Sequence, residues 1–183
     1  MRVVMTPHPD MSGGAIHSIA VEVTRPRADT IDLRYAAEGD MTRVRIPARS
    51  EPARRDELWR HTCFEAFLRP PAGEAYAEFN FSPSGEYAAY SFTAYRDGMQ
   101  VVHGAAPEIS VESSAARLGL HATIRTQDIQ AVDLMGAVRL GLTAVIEDMD
   151  GAKSYWALAH PQGKPDFHHR DGFALDLPTL EQT

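Results

Sequence analysis

The stretch YAEFNFSPSGEYAAYSF, residues 76–92, alternates apolar and polar side chains on either side of a Ser-Pro-Ser-Gly turn. Ala77, Phe79 and Phe81 point one way, and Tyr76, Glu78, Asn80 and Ser82 the other. Successive side chains of a strand lie on opposite faces of its sheet, so the segment reads as a hairpin with one greasy and one polar face. A face that only meets water carries Lys, Thr, Arg and Gln in no particular order. This one offers a carboxylate, an amide, a hydroxyl and an aromatic ring, the groups that grip a sugar.

The same pattern recurs along the chain. In RLGLHATIR (117–125) Leu118, Leu120, Ala122 and Ile124 oppose Arg117, His121, Thr123 and Arg125. In VRLGLTAVIE (138–147) Val138, Leu140, Leu142, Ala144 and Ile146 oppose Arg139, Gly141 and Thr143. Antiparallel sheets that cover a core on one side and meet solvent on the other produce this alternation. Strands are expected near residues 15–24, 30–36, 42–46, 62–69, 76–81, 86–95, 117–125, 137–147, 153–159 and 173–177, separated by turn formers such as RPRAD, SPSGE and EDMDG. Short helices are expected at 53–60 and at 127–135, where TQDIQAVDLMG offers a Thr N-cap and a Gly stop. The reading is an all-β chain: an antiparallel β-sandwich of jelly-roll type with one or two short helices. At 183 residues the chain suits one domain, 1–183.

The formal charge of −7 argues against a nucleic-acid partner, because phosphate contacts need a basic face. Six arginines fall between Arg43 and Arg60, but Glu51, Asp56 and Glu57 interleave them, so this run reads as a mixed, solvated loop. The single cysteine, Cys63, allows no internal disulfide and no CxxC metal pair. The first residues, MRVVMTPHPDMSGG, hold no apolar run of signal-peptide length, and nothing approaches the about 20 apolar residues of a membrane span. A cytoplasmic location and no membrane partner are the expectation.

Two blocks resemble a known family. LWRHTCFEAFLRPPAGEAYAEFNFSPSGEYAAYSFTAYRDGM (58–99) and SYWALAHPQGKPDFHHRDGFALDL (154–177) are similar to bacterial DOMON-like proteins, relatives of the family-9 carbohydrate-binding modules. The resemblance implies a sandwich of two antiparallel sheets with a ligand on a concave face or at loop ends. It implies two ligand classes: sugars, as in the carbohydrate-binding members, and non-covalent haem, as in the cytochrome-type domains.

Trp59 and Trp156 each fall in one of these blocks, and sugar-binding relatives clamp their ligand with a tryptophan pair. Trp156 is in register with Leu158, so it reads either as a core residue or as a ligand contact. Glu65, in TCFEAFL, is a partly buried carboxylate on the alternation, which is costly unless paired or hydrogen-bonded. It reads either as the partner of Arg96 or Arg139 or as an acceptor for a ligand hydroxyl. Glu78 and Asn80 share one face of their strand and have hydroxyl neighbours; they read as ligand contacts at the site, or else as loop caps or bridges between strands. The tail HPQGKPDFHHRDG adds His160, Asp166 and His168 to the candidate site. His168 and His169 are adjacent and point apart on an extended chain, which argues against a divalent metal held there.

Haem needs axial Met or His, and neither Met99 with His121 nor Met99 with His160 has a selecting spacing. Glu65 and Glu78 could be the paired carboxylates of a glycosidase, but GxSxG, HExxH, Walker A and GxGxxG are all absent. Cys63 reads as an apolar core residue or as a nucleophile served by His61. The expectation is a non-catalytic small-molecule-binding protein for a carbohydrate or sugar-derived ligand, with no resident cofactor. A glycoside-processing enzyme and a haem-binding domain are the alternatives.

Overall fold

The computed structural model describes residues 1–11 and 14–180. Its strands are β1 (Arg2–Pro7), β2 (Ile16–Arg27), β3 (Thr30–Gly39), β4 (Cys63–Arg69), β5 (Tyr76–Phe81), β6 (Tyr87–Phe92), β7 (Gln100–Val101), β8 (Glu108–Ser113), β9 (Arg117–Arg125), β10 (Val138–Glu147), β11 (Lys153–Ala157) and β12 (Leu175–Leu177). All pair antiparallel, in the order β7-β6-β5-β4-β10-β11-β1-β2-β3-β9-β8, with β12 beside the end of β10. The chain is therefore all-β, as the alternation predicts.

β1 joins the two halves of this curled sheet. Arg2 to Met5 pair with β2, while Thr6 and Pro7 pair with β11. Val21 and Leu33 from one half meet Phe64, Phe79 and Leu142 from the other in one apolar cluster. Tyr35 of β3 reaches across it: its ring lies 5.0 Å from that of Phe64, and its hydroxyl donates to the Glu65 carbonyl of β4 at 2.9 Å. A buried phenol needs such a partner, and this one ties the halves at a fixed register.

β9 keeps the expected alternation of buried and more exposed residues. β4, β5 and β10 do not; nearly every residue in them is buried. Their polar faces are covered by loops instead of solvent, which is a correction to the simple two-faced reading.

The expected helices are absent among the described residues, where only single 3-10 turns occur, at Leu58–Arg60 and Thr126–Asp128 in these regions. Competing backbone partners explain both. Tyr87 N–H donates to Ala53 and Arg55 N–H to Tyr87, so this segment pairs with the start of β6. The carbonyls of Leu134, Met135 and Gly136 are held by the guanidinium of Arg25, a partner far away in sequence. The strand expected at 42–46 is a turn, Met41–Arg43, followed by one bridge from Val44 to Asp148. β1, β7 and β8 lay outside the predicted set.

Candidate functional site

The outer face of β4, β5 and β6 carries a second, smaller cluster built from Cys63, Phe67, Tyr76, Tyr90 and Phe92. Two segments cover it. Leu58 comes from the loop before β4, and Phe167 and Phe173 come from the segment between β11 and β12. Gly141 of β10 lets the second segment sit close, because a Cβ there would stand 3.1 Å from the Gly172 carbonyl. Tyr76 stacks on Phe92 with ring centroids 4.6 Å apart, and Phe67 meets Phe173 edge-on.

Glu65 and Glu78 lie within this covered layer, only 2% and 6% exposed. Register pairs Glu65 with Asn80 and Phe67 with Glu78, so the two carboxylates are diagonal neighbours on one face, about 7–8 Å apart at the backbone. Asn80 Nδ2 donates to Glu78 Oε1 at 2.6 Å, and Thr143 Oγ1 donates to Glu65 Oε2 at 3.0 Å. Glu65 Oε1 is buried without a partner. Burial, then the nearby Glu78 charge, pushes the Glu65 carboxyl up to about 8. Burial raises Glu78 to about 7 against the opposing pull of Asn80 and Arg96. Two like charges in a dry layer repel, so the pair holds a proton near neutrality. The expected arginine partner of Glu65 is thus corrected: Arg139 pairs with Asp176 and Arg96 with Asp166, and Thr143 serves Glu65.

His168 links this layer to the surface. The Arg96 backbone N–H donates to the Tyr76 hydroxyl at 3.2 Å, and that hydroxyl lies 2.7 Å from His168 Nδ1. In the tautomer where the phenol donates to Nδ1, the imidazole proton stands on Nε2, 3.8 Å from Glu78 Oε2. Burial and the Arg96 charge lower the His168 pKa to about 4, so the ring is neutral at pH 7.

Asp166 clasps the same region. It accepts from the Tyr95 hydroxyl at 2.5 Å, from Arg96 Nη2 at 2.8 Å and from the His168 backbone N–H at 3.1 Å. These bonds hold its carboxyl below the usual range. Arg96 sits at φ 53°, a left-handed conformation that costs a non-glycine residue of order 1 kcal/mol and that clusters at functional sites. Replacing Asp166 by Asn should free the covering segment from the Tyr95–Arg96 turn. Proteolysis of the 159–173 segment should then speed up several-fold, and an unchanged cleavage rate would show the clasp to be idle.

Two clefts flank the clasp. One, of about 670 Å³, lies among Arg69, Glu74, Tyr76, Tyr95, His168, His169, Arg170 and Phe173. The other, of about 630 Å³, lies among Arg96, Gln162, Lys164, Asp166, His169 and Asp171. Of the predicted site residues, Arg96, Asp166 and His168 come together at these clefts. Glu78 stands one imidazole below, with Asn80 and Glu65 deeper. Tyr76, the aromatic ring of the polar face read from the sequence, lines the cleft, whereas Tyr95, Arg69 and Arg170 are cleft residues that the sequence reading missed.

The remaining candidates lie elsewhere. Trp156 is 2% exposed in the main core, where Nε1 donates to Ser154 Oγ, so it is a packing residue and not half of a clamp. Trp59 is 47% exposed with the Arg60 guanidinium over its ring, and it lines neither cleft. His160 bonds the Thr6 carbonyl and meets His8 edge-on, away from His168. Cys63 is fully buried with its thiol pKa raised well above normal by burial, and His61 is engaged by Glu147. Among the described residues no group of three or more His, Cys, Asp or Glu is placed to hold a metal ion.

No protein-family model and no curated protein matches the chain. Among solved structures it is similar to one described as a "putative carbohydrate-binding protein" from Bacteroides uniformis. The TM-score is 0.64 at 14% sequence identity, over 84% of this chain and 75% of that one. At that identity the likeness establishes a shared fold.

Proposed function

We propose that this chain is a non-catalytic carbohydrate-binding domain, a DOMON-like β-sandwich, whose ligand lies in the cleft between the Tyr95–Arg96 turn and the 168–173 segment. The observation that carries this reading is the cleft itself. It combines one exposed aromatic ring, Tyr95, and the half-buried imidazole of His168 with hydrogen-bonding groups fixed by a clasp, which is what C–H stacking and hydroxyl recognition require. Tyr95 is 54% exposed with the Arg96 guanidinium 5.9 Å from its ring centroid on one side, so a sugar would stack on the side turned away from Arg96. The fold shared with the Bacteroides uniformis protein and the resemblance of residues 58–99 and 154–177 to DOMON-like domains support it. In this reading Tyr76 orients His168, whose ring forms the cleft wall, and Glu78, with Asn80 and Glu65 behind it, lies beneath that ring.

Isothermal titration calorimetry against a panel of mono- and disaccharides tests it. A saturable heat, with the sugar recovered intact, is the expected result. Tyr95→Ala should weaken binding about tenfold or more, the loss of about 1.4 kcal/mol of contact, while leaving the melting temperature within about 2 °C. No heat with any sugar, or hydrolysed sugar in the cell, would falsify the proposal.

A further inference from the structure

The cleft has a charge that neutral-sugar binding does not use. Arg69, at the end of β4, stacks its guanidinium 5.2 Å from the Phe173 ring centroid. Its Nε is buried with no hydrogen-bond partner. Arg139 and Arg170 stand close enough for their charges, together with burial, to lower the Arg69 pKa. Of the three, Arg139 is paired, with Asp176 at 2.9 Å. Neither Arg69 nor Arg170 has a carboxylate partner among the described residues, although both line the cleft. Glu74 is the one carboxylate among the cleft residues, and it is exposed at the rim. His168 adds no negative charge, being a neutral ring.

An unpaired, partly desolvated arginine next to a second one is unfavourable unless something negative visits. The fork of a guanidinium fits the two oxygens of a carboxylate or phosphate, and burial of its stem fixes the fork in advance. Resting on the carbohydrate reading, we infer that the ligand is an acidic sugar. Its carboxylate or phosphate is held between Arg69 and Arg170, and its ring lies against Tyr95. Against the chain's overall charge of −7, this local positive pair stands out as the element that would select an anion.

Calorimetry on the full chain at pH 7 tests this with glucose, galactose, their uronates, glucose 6-phosphate and inorganic phosphate. The expected result is at least tenfold tighter binding of a uronate or the sugar phosphate than of its neutral parent, weakening as salt rises. Arg170→Gln, at an exposed position that leaves the core untouched, should reduce that preference to about threefold or less, and Arg69→Gln should abolish it. Equal affinity for neutral and charged forms overturns this inference and leaves the carbohydrate reading standing. Inorganic phosphate binding as tightly as glucose 6-phosphate overturns both, because the ring then contributes nothing. Silence from every probe also overturns both.

Discussion

Between pH 6.5 and 8 the melting temperature is expected to fall by on the order of 10 °C, continuing a decline that begins near pH 4.5 and that the histidines blunt only below pH 6.5. The cause is the Glu65–Glu78 pair. A carboxyl whose folded pKa lies above its unfolded value binds protons more tightly when folded. Its contribution is complete below about pH 4.5 and is lost as pH rises through about 7 for Glu78 and about 8 for Glu65. His168 runs the other way. Its folded pKa of about 4 lies below the normal 6.5, so the folded state gains on the unfolded one as pH rises through that window. His160, lowered by burial, adds in the same direction. The histidines therefore offset part of the carboxyl loss up to pH 6.5.

Above pH 6.5 the carboxyls act alone. At about 1.4 kcal/mol per pKa unit they remove roughly 3 kcal/mol by pH 8, and each kcal/mol is worth about 2–4 °C in a chain of this size. Glu65→Gln keeps the shape and the acceptor for Thr143 but removes the titration, so it should match the parent near pH 4.5 and melt progressively higher as pH rises to 8. Differential scanning calorimetry across pH decides the matter. A flat or rising parent curve above 6.5, or a Gln variant that tracks it, refutes the shared-proton account.

The second large effect is expected at Trp156. Truncation to Ala empties a fully packed site and frees Ser154 of its indole partner, at a cost of about 3–5 kcal/mol. That corresponds to a fall of roughly 6–20 °C in melting temperature. Trp59→Ala removes an exposed ring and should change stability by no more than about 0.5 kcal/mol. Sugar affinity should survive both changes at a temperature where the variants are folded. If Trp156→Ala melted like the parent, the indole would not be a core element. If Trp59→Ala abolished binding, the ligand would lie at the start of β4 and not in the proposed cleft.

The strands were legible because alternation is a local signal: β5 and β9 span the very residues their patterns marked, although only β9 shows the alternating exposure. The covering of the polar face was not legible. Whether Glu78 meets water or Phe167 and His168 depends on a segment some ninety residues later folding back, and no local pattern encodes that. The helices failed for the same reason: Arg25 capturing the carbonyls of Leu134, Met135 and Gly136 is a long-range event. β8 escaped notice because its apolar face is only two residues wide, Ile109 and Val111, both half-buried against the main core. At the site, the recognised blocks pointed to His168, Asp166 and Arg96. Arg69, Arg170 and Tyr95 needed three dimensions.

The position of β1 sets the order in which this molecule can form. Its first half needs β2, which follows at once, but Thr6 and Pro7 wait for Trp156 and Ala157. During synthesis β1, β2 and β3 can assemble early as a meander, whereas the seam to β11 closes only when nearly all of the chain is available. Closing a loop of that length carries a large entropic cost before any contact rewards it, so folding should be slow, with this seam late. Until then Thr6, Pro7 and the open edge of β11 present unpaired backbone, the form of edge that recruits strands from other molecules. Refolding yield should therefore fall steeply with protein concentration. A shortened β1 that cannot reach β11 should shift the population towards aggregates without harming the hairpin at 76–92.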